Sequence, residues 1–260
     1  MITKSSIIIS AFFLAISFKS FGQDSINYKA VFPTGISVKL GLGSFSLKDE
    51  YISNEEYSCT MPYLNINWVR FHSKNAYRLE LEYRYSENIS NNNISALGGQ
   101  AVFNQDFIYP IGNFSLFSRN VYAYLGPSVQ VFYYEYLYHF VIPGTFISPE
   151  TSGLIGSLGI NTQFIYPISQ KLGIEAFLRS NLISITGKEH DEMEFEGETN
   201  PALVSVFTAT KFDFDLSARY YLFKRFSASL GYKFDLSRIN KWDPYITASN
   251  SLNFSMNYTF

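Results

Sequence analysis

The last ten residues alternate without a fault: Leu252, Phe254, Met256, Tyr258 and Phe260 are apolar, and Ser251, Asn253, Ser255, Asn257 and Thr259 between them are polar. A two-residue period puts the two sets on opposite faces of a β-strand. The period recurs just upstream, where Phe226, Ala228, Leu230, Tyr232, Phe234 and Leu236 alternate with Ser227, Ser229, Gly231, Lys233, Asp235 and Ser237. It recurs again before Phe223-Lys224-Arg225, with Phe212, Phe214, Leu216, Ala218, Tyr220 and Leu222 on one face. Lys211, Asp213, Asp215, Ser217, Arg219 and Tyr221 take the other.

Carried back along the chain, this rule predicts ten strands, near 35–47, 60–71, 76–87, 97–109, 121–137, 153–168, 172–186, 203–222, 226–240 and 247–260. Short links at 72–75, 169–171 and 223–225 alternate with longer polar ones at 48–58, 88–96, 138–152 and 187–201. Short turns on one side and long loops on the other describe an all-β fold, an antiparallel up-and-down transmembrane β-barrel. The link 110–120 is too long and apolar for a tight turn, so eight strands is the alternative count. No helical period and no linker follow Gln23, so 23–260 reads as one domain.

The hairpin turns also set register. An even index sum keeps the apolar parity of both strands on one side. The turn Phe223-Lys224-Arg225 then pairs Leu222 with Phe226, Asp215 with Lys233 and Asp213 with Asp235. The turn 72–75 pairs Phe71 with Ala76, Trp68 with Leu79 and Asn67 with Glu80.

The N-terminal segment differs from the rest. Lys4 precedes an apolar run from Ile7 to Ile16, and Ser20 and Gly22 stand at −3 and −1 before Gln23. This is the pattern of a secretory signal peptide over 1–22, too short an apolar run to span a bilayer, which takes roughly 20 residues. No Cys follows it to carry a lipid.

Composition narrows the reading. Aromatics reach 18%, with 25 Phe and 20 Tyr. The lone Cys59 excludes a disulfide framework and a Cys-built zinc site, and a net charge of −2 argues against nucleic acid as a partner. Large Phe, Leu and Tyr side chains from every strand would overfill the interior of a ten-stranded barrel, so the apolar parity faces lipid and the charged parity faces the lumen. Tyr63, Tyr77, Tyr83, Tyr85, Tyr109, Tyr166, Tyr220, Trp68 and Trp242 fall toward strand ends and suit interfacial girdles.

A signal peptide, strands of alternating parity and a last strand closing on Phe254, Met256, Tyr258 and Phe260 together resemble the small outer-membrane β-barrel proteins of Gram-negative bacteria. The resemblance implies residence in the outer membrane, lipid contact, and reading of Phe254, Met256, Tyr258 and Phe260 by the outer-membrane assembly machinery. It is silent on function, because enzymes, pores, adhesins and inert barrels share the fold.

The inward parity collects Lys39, Arg78, Arg84, Arg179, Lys211, Arg219 and Lys233 with Glu80, Glu82, Asp106, Glu175, Asp213, Asp215 and Asp235. Seven charges of each sign point to ion pairs that plug the lumen, where a selective channel would carry a bias. Lys39 and Lys211 read equally well as solvated rim charges. Arg78, Glu80, Glu82 and Arg84 share one face of one strand.

Catalytic, metal and cofactor chemistry find little support. The histidines are His72, in a short turn, His139, after the aromatic run 132–138, and His190, in the acidic stretch 188–198. No local motif gives any of them a nucleophile, and the acidic stretch lacks the Asp-x-Asp-x-Asp-Gly spacing of a calcium loop. The expectation is a non-enzymatic barrel without cofactor, structural or engaged through its long loops with a surface or secretion-system partner. The apolar loop 138–152 is one such surface. A small-solute, porin-like channel and an outer-membrane enzyme acting on lipid or peptide are the alternatives.

Overall fold

The computed structural model describes residues 34–260 apart from 73–74, 92–93, 118, 143–144, 148, 191–201 and 242–243. The segment 1–22 read as a signal peptide, Trp242 and most of the acidic stretch lie outside the described residues.

All regular structure is β. The strands are β1 (Gly35–Asp49), β2 (Tyr57–His72), β3 (Asn75–Ser90), β4 (Ile94–Leu116), β5 (Arg119–Ile142), β6 (Thr145–Ile147), β7 (Glu150–Pro167), β8 (Leu172–His190), β9 (Ala202–Ser205), β10 (Ala209–Tyr221), β11 (Phe226–Ile239) and β12 (Tyr245–Thr259). Ten of them close an antiparallel ring in the order β10-β11-β12-β1-β2-β3-β4-β5-β7-β8, with β8 returning to β10. The short β6 pairs with β5 outside the ring, and β9 continues the line of β10 along β8. The count is ten, not eight, and every strand expected from the alternation is present.

Register follows the turn argument. Asp215 stands opposite Lys233, Asp213 opposite Asp235, Phe71 opposite Ala76, Trp68 opposite Leu79 and Asn67 opposite Glu80. The reason is physical: a one-residue slip would send every charged side chain of a strand to the lipid face, where an Arg or Lys at the midplane costs about 2–4 kcal/mol. Leu40, Leu42, Leu81, Leu158, Leu230 and Leu252 stand exposed on the outside, and Ser, Asn and charged residues stand buried inside. Tyr83, Tyr85, Tyr109 and Tyr220 are exposed on the outer face, whereas Tyr63 is buried in the lumen.

The link 110–120 is a tight turn after all. β4 and β5 continue as a two-stranded ribbon to Leu116 opposite Arg119, beyond the last pairings of their neighbours at Ala76–Ile108 and Tyr122–Ile165. Phe117 takes φ 47° in the turn. The apolar character that argued against a turn belongs to a protruding hairpin, which leaves Ile111, Leu116 and Phe117 exposed.

Besides register shifts between Ser58 and Tyr63 and between Ser86 and Ile89, two irregularities break the two-residue period of β8 and its neighbour near the outer end. Leu158 pairs with Ile183 but Gly159 pairs with Asn181, so Leu182 is an extra residue in β8. Leu182 and Ile183 both face outward, and the inward parity changes from odd below the bulge (Phe177, Arg179, Asn181) to even above it (Ser184, Thr186, Lys188). Across from it, Val206–Thr208 interrupt what reads in sequence as a single strand over 203–222. The Asn181 side chain spans the gap, donating to the Ala209 carbonyl at 2.6 Å and accepting from the Lys211 N–H at 2.7 Å, so an amide side chain replaces a missing ladder step.

Candidate functional site

Among the described residues the lumen is occupied by three layers, the lowest of which leaves a cavity. Chain ends and short turns mark the periplasmic side of such a barrel, and the long connections mark the outer side.

The outer layer is aromatic. Tyr57, Tyr134, Tyr136, Tyr138 and Tyr245 are fully enclosed with Phe45, Leu47, Phe132, Ile89 and Ile239. Tyr134 on β5 and Tyr245 on β12 stack with ring centroids 3.9 Å apart and planes 12° from parallel. These strands lie five steps apart in a ring of ten, so the two rings meet from opposite walls. Small residues make the room: a Cβ on Gly153 would fall 2.5 Å from the Tyr134 ring, and one on Gly41 would fall 1.9 Å from the Tyr63 ring. The layer also holds an ion pair at 0% exposure, in which Lys188 donates to Asp49 Oδ1 at 2.8 Å. Asp49 Oδ2 accepts from Thr151 Oγ1 at 3.0 Å and from Tyr138 Oη at 3.4 Å.

The middle layer is an ionic belt. Arg179 clamps Asp106 through two bonds, Nε to Oδ1 at 3.0 Å and Nη2 to Oδ2 at 2.6 Å, and donates through Nη1 to Asp213 at 2.9 Å. Its Nη1 is also 3.6 Å from Glu80. Arg84 donates from Nε to Glu82 at 2.7 Å and from Nη2 to Asp235 on β11, four strands away around the ring. Lys233 bonds Glu82 and lies 3.9 Å from Glu80 and 3.5 Å from Asp235. Lys211 lies 3.1 Å from Asp213 and 3.7 Å from Asp235. Gln130 and Asn104 cap the belt by donating to Asp213 at 3.0 Å and Glu80 at 3.1 Å. Charge-assisted bonds of this kind, several to each charge, offset the desolvation of burying it.

The periplasmic layer is looser. Lys39 bonds Asp215, and Arg219 donates to Glu175 at 3.1 Å. Arg78 donates to Gln163 at 2.9 Å and lies 4.3 Å over the Phe177 ring. On one wall Ala76, Ile108, Tyr124 and Ile165 form a small apolar cluster. On the other a cavity of about 70 Å³ runs from Arg179 and Lys233 down to Gly35 and Thr259 at the rim. That volume holds a few water-sized molecules.

All fourteen charged residues read as luminal thus stand inside the ring, but not always paired as adjacency in sequence suggests. Arg78 does not join Glu80; the carboxylate opposite it in register, Asp106, is taken by Arg179. Asp215 faces Lys233 across the ladder yet bonds Lys39. Lys211, readable as a rim charge, is deeply buried. Lys188, which the sequence places in the polar link 187–201, lies in β8.

The Asp49–Lys188 pair and the tyrosine layer escaped the sequence reading. The bulge at Leu182 hides Lys188, because strict alternation from Arg179 would turn it outward. The tyrosines were legible: the inward parity of Ser128 and Gln130, continued upward, puts Phe132, Tyr134, Tyr136 and Tyr138 inside and Glu135 outside. Glu135 is indeed exposed, accepting a bond from Tyr133 Oη at 2.5 Å. Of the residues expected to carry an assembly signal, Phe254, Met256 and Phe260 are exposed on the outer face, and Tyr258 packs against Phe226 and Phe260 at 4.9 and 5.5 Å. His139 lies in β5 opposite Ser95; the His72 and His190 side chains lie outside the described residues.

No family model and no curated protein matches the sequence. Solved structures do. The outer membrane protease OmpT of Escherichia coli is similar at TM-score 0.50 and 10% identity, over 88% of this chain and 97% of that one. The translocator domain of the autotransporter NalP from Neisseria meningitidis is similar at TM-score 0.51 and 13% identity, over 98% of each chain. The fold is that of an outer-membrane β-barrel. At such identities the likeness extends to fold alone. The closed ring, its apolar outer band and its polar interior place the protein in the outer membrane of a Gram-negative envelope.

Proposed function

We propose that this outer-membrane barrel is a closed, non-catalytic scaffold that holds its outer loops at the cell surface and conducts no solute. The observation that carries the reading is the Tyr134–Tyr245 stack, made by side chains from opposite walls with no room between them. A pore needs a continuous wet path, and this lumen has an enclosed aromatic layer above a belt of mutually bonded charges. The strands support a display role. β5 has 24 residues and β8 has 19, against about 9–11 needed to cross the hydrocarbon, so the wall continues past the membrane toward the long connections.

Planar-bilayer recording of the purified, folded protein tests it. The expected trace is flat at neutral pH. Steady channels of large conductance would replace this reading by the porin-like one, and lipid or peptide turnover by the purified barrel would replace it by the enzymatic one.

A further inference from the structure

Arg78 differs from the other cations of the lumen. It is 7% exposed, yet among the described residues it has no carboxylate within 4 Å. Every neighbouring carboxylate is taken: Asp106 by Arg179, Glu80 by Arg179 and Lys233, Glu175 by Arg219, Asp215 by Lys39. Its Nη2 bonds the neutral Gln163, its face rests on Phe177, and its Nε–H has no acceptor. A buried guanidinium without a counter-charge is unfavourable unless something supplies one.

The surroundings show where that charge would come from. Arg78 lines the cavity that opens at the periplasmic rim, whose lining carries five cations against four carboxylates. Asn67 lines the same cavity with a side-chain oxygen that has no partner; turned over, that amide offers Nδ2 as a second donor. The Nε edge of a guanidinium is a planar fork that fits the two oxygens of a carboxylate or phosphate, and stacking on Phe177 holds the fork in place.

We propose that this vestibule is an oxyanion site, in which Arg78 binds a carboxylate or phosphate group entering from the periplasm, as a free small anion or as the carboxyl end of a short peptide. The site is separate from the outer loops and does not require that the barrel be closed.

Calorimetric titration of the full mature chain, folded in detergent micelles at constant ionic strength set with chloride, tests the proposal with three probes. These are inorganic phosphate, a tripeptide with a free carboxyl end, and the same tripeptide amidated. Saturable one-to-one binding of phosphate, with both peptides inert, supports a free-anion site. Binding of the free-acid peptide and not the amide supports a peptide-end site. In either case Arg78→Gln should weaken binding at least tenfold. Because Arg78→Gln strands no carboxylate, it should fold and, in the absence of oxyanion, match or exceed the wild type in stability. Arg78→Lys, which keeps the charge and loses the fork, is the second variant and should also bind at least tenfold more weakly. No saturable binding of phosphate or the free-acid peptide, or binding that both variants retain, overturns the proposal.

Discussion

The ionic belt makes its strongest commitment at Arg179. Replacing it with Met keeps most of the side-chain volume and removes the bidentate clamp on Asp106 together with the bond to Asp213. Asp213 retains Lys211 at 3.1 Å and Gln130 at 3.0 Å. Asp106, at 0% exposure, loses its salt-bridge partner and stays an uncompensated buried carboxylate as long as Arg78, opposite it in register, remains on Gln163 and Phe177. Removing one partner of a buried pair typically costs about 3–5 kcal/mol, which corresponds to a fall of about 10²–10⁴-fold in the folding equilibrium. With a urea m-value of about 2 kcal/mol/M, the unfolding midpoint drops by roughly 1.5–2.5 M. The assay is urea titration of the barrel in lipid vesicles, following the folded band by its altered mobility in unheated gels. The companion Arg179→Met/Asp106→Asn removes both charges and should recover most of the loss. A single variant within about 1 kcal/mol of wild type, or a double variant no better than the single, would refute the belt as a set of mutually dependent pairs.

Two further outcomes follow from the same geometry. Tyr134→Ala with Tyr245→Ala removes the contact between opposite walls; the barrel should lose stability, by about 3–5 kcal/mol for each large-to-small aromatic change, and show small channels in planar bilayers where the wild type shows none. Deleting Phe260, whose N–H bonds the Thr34 carbonyl beside the β1–β12 seam, should leave little heat-modifiable barrel in the outer membrane, and wild-type levels of inserted protein would remove the assembly argument.

The parts of the fold that lipid enforces were legible, and the pairings that only the lumen enforces were not. Strands β11 and β12 announced their boundaries, faces and register, and β10 its faces and register, because hydrocarbon tolerates no slip of a charged parity. Inside, partner choice depends on which charges reach across the ring. Arg84 finds Asp235 and Lys39 finds Asp215 over distances in sequence of 151 and 176 residues. No local pattern encodes such pairs, so register supplied the faces of Asp215 and Lys233 without supplying their partners. The Asp49–Lys188 pair failed for a different reason, since alternation is informative only while the ladder stays regular.

That failure yields a sharp test of how the outer layer is specified. The residues from Asn181 to Lys188 run inward, outward, outward, inward, outward, inward, half-buried, inward, and the bulge, by taking Leu182 and Ile183 outward together, lets both the odd-numbered Arg179 and the even-numbered Lys188 face the lumen. Deleting Leu182 alone gives a regular strand in which Ser184, Thr186 and Lys188 still face inward; the ladder loses chiefly the bond from the Val206 N–H to the Leu182 carbonyl. Deleting Leu182 and Ile183 together shifts everything above by one step, which turns Lys188 toward the outside, brings Ile185 into the lumen and strips Asp49 of its salt-bridge partner. The shorter deletion should therefore give a heat-modifiable barrel with a urea midpoint near that of the wild type, and the two-residue deletion should be destabilised by at least the cost of one broken buried pair, about 3–5 kcal/mol. Equal stability of the two deletions would mean that the outer layer tolerates either parity.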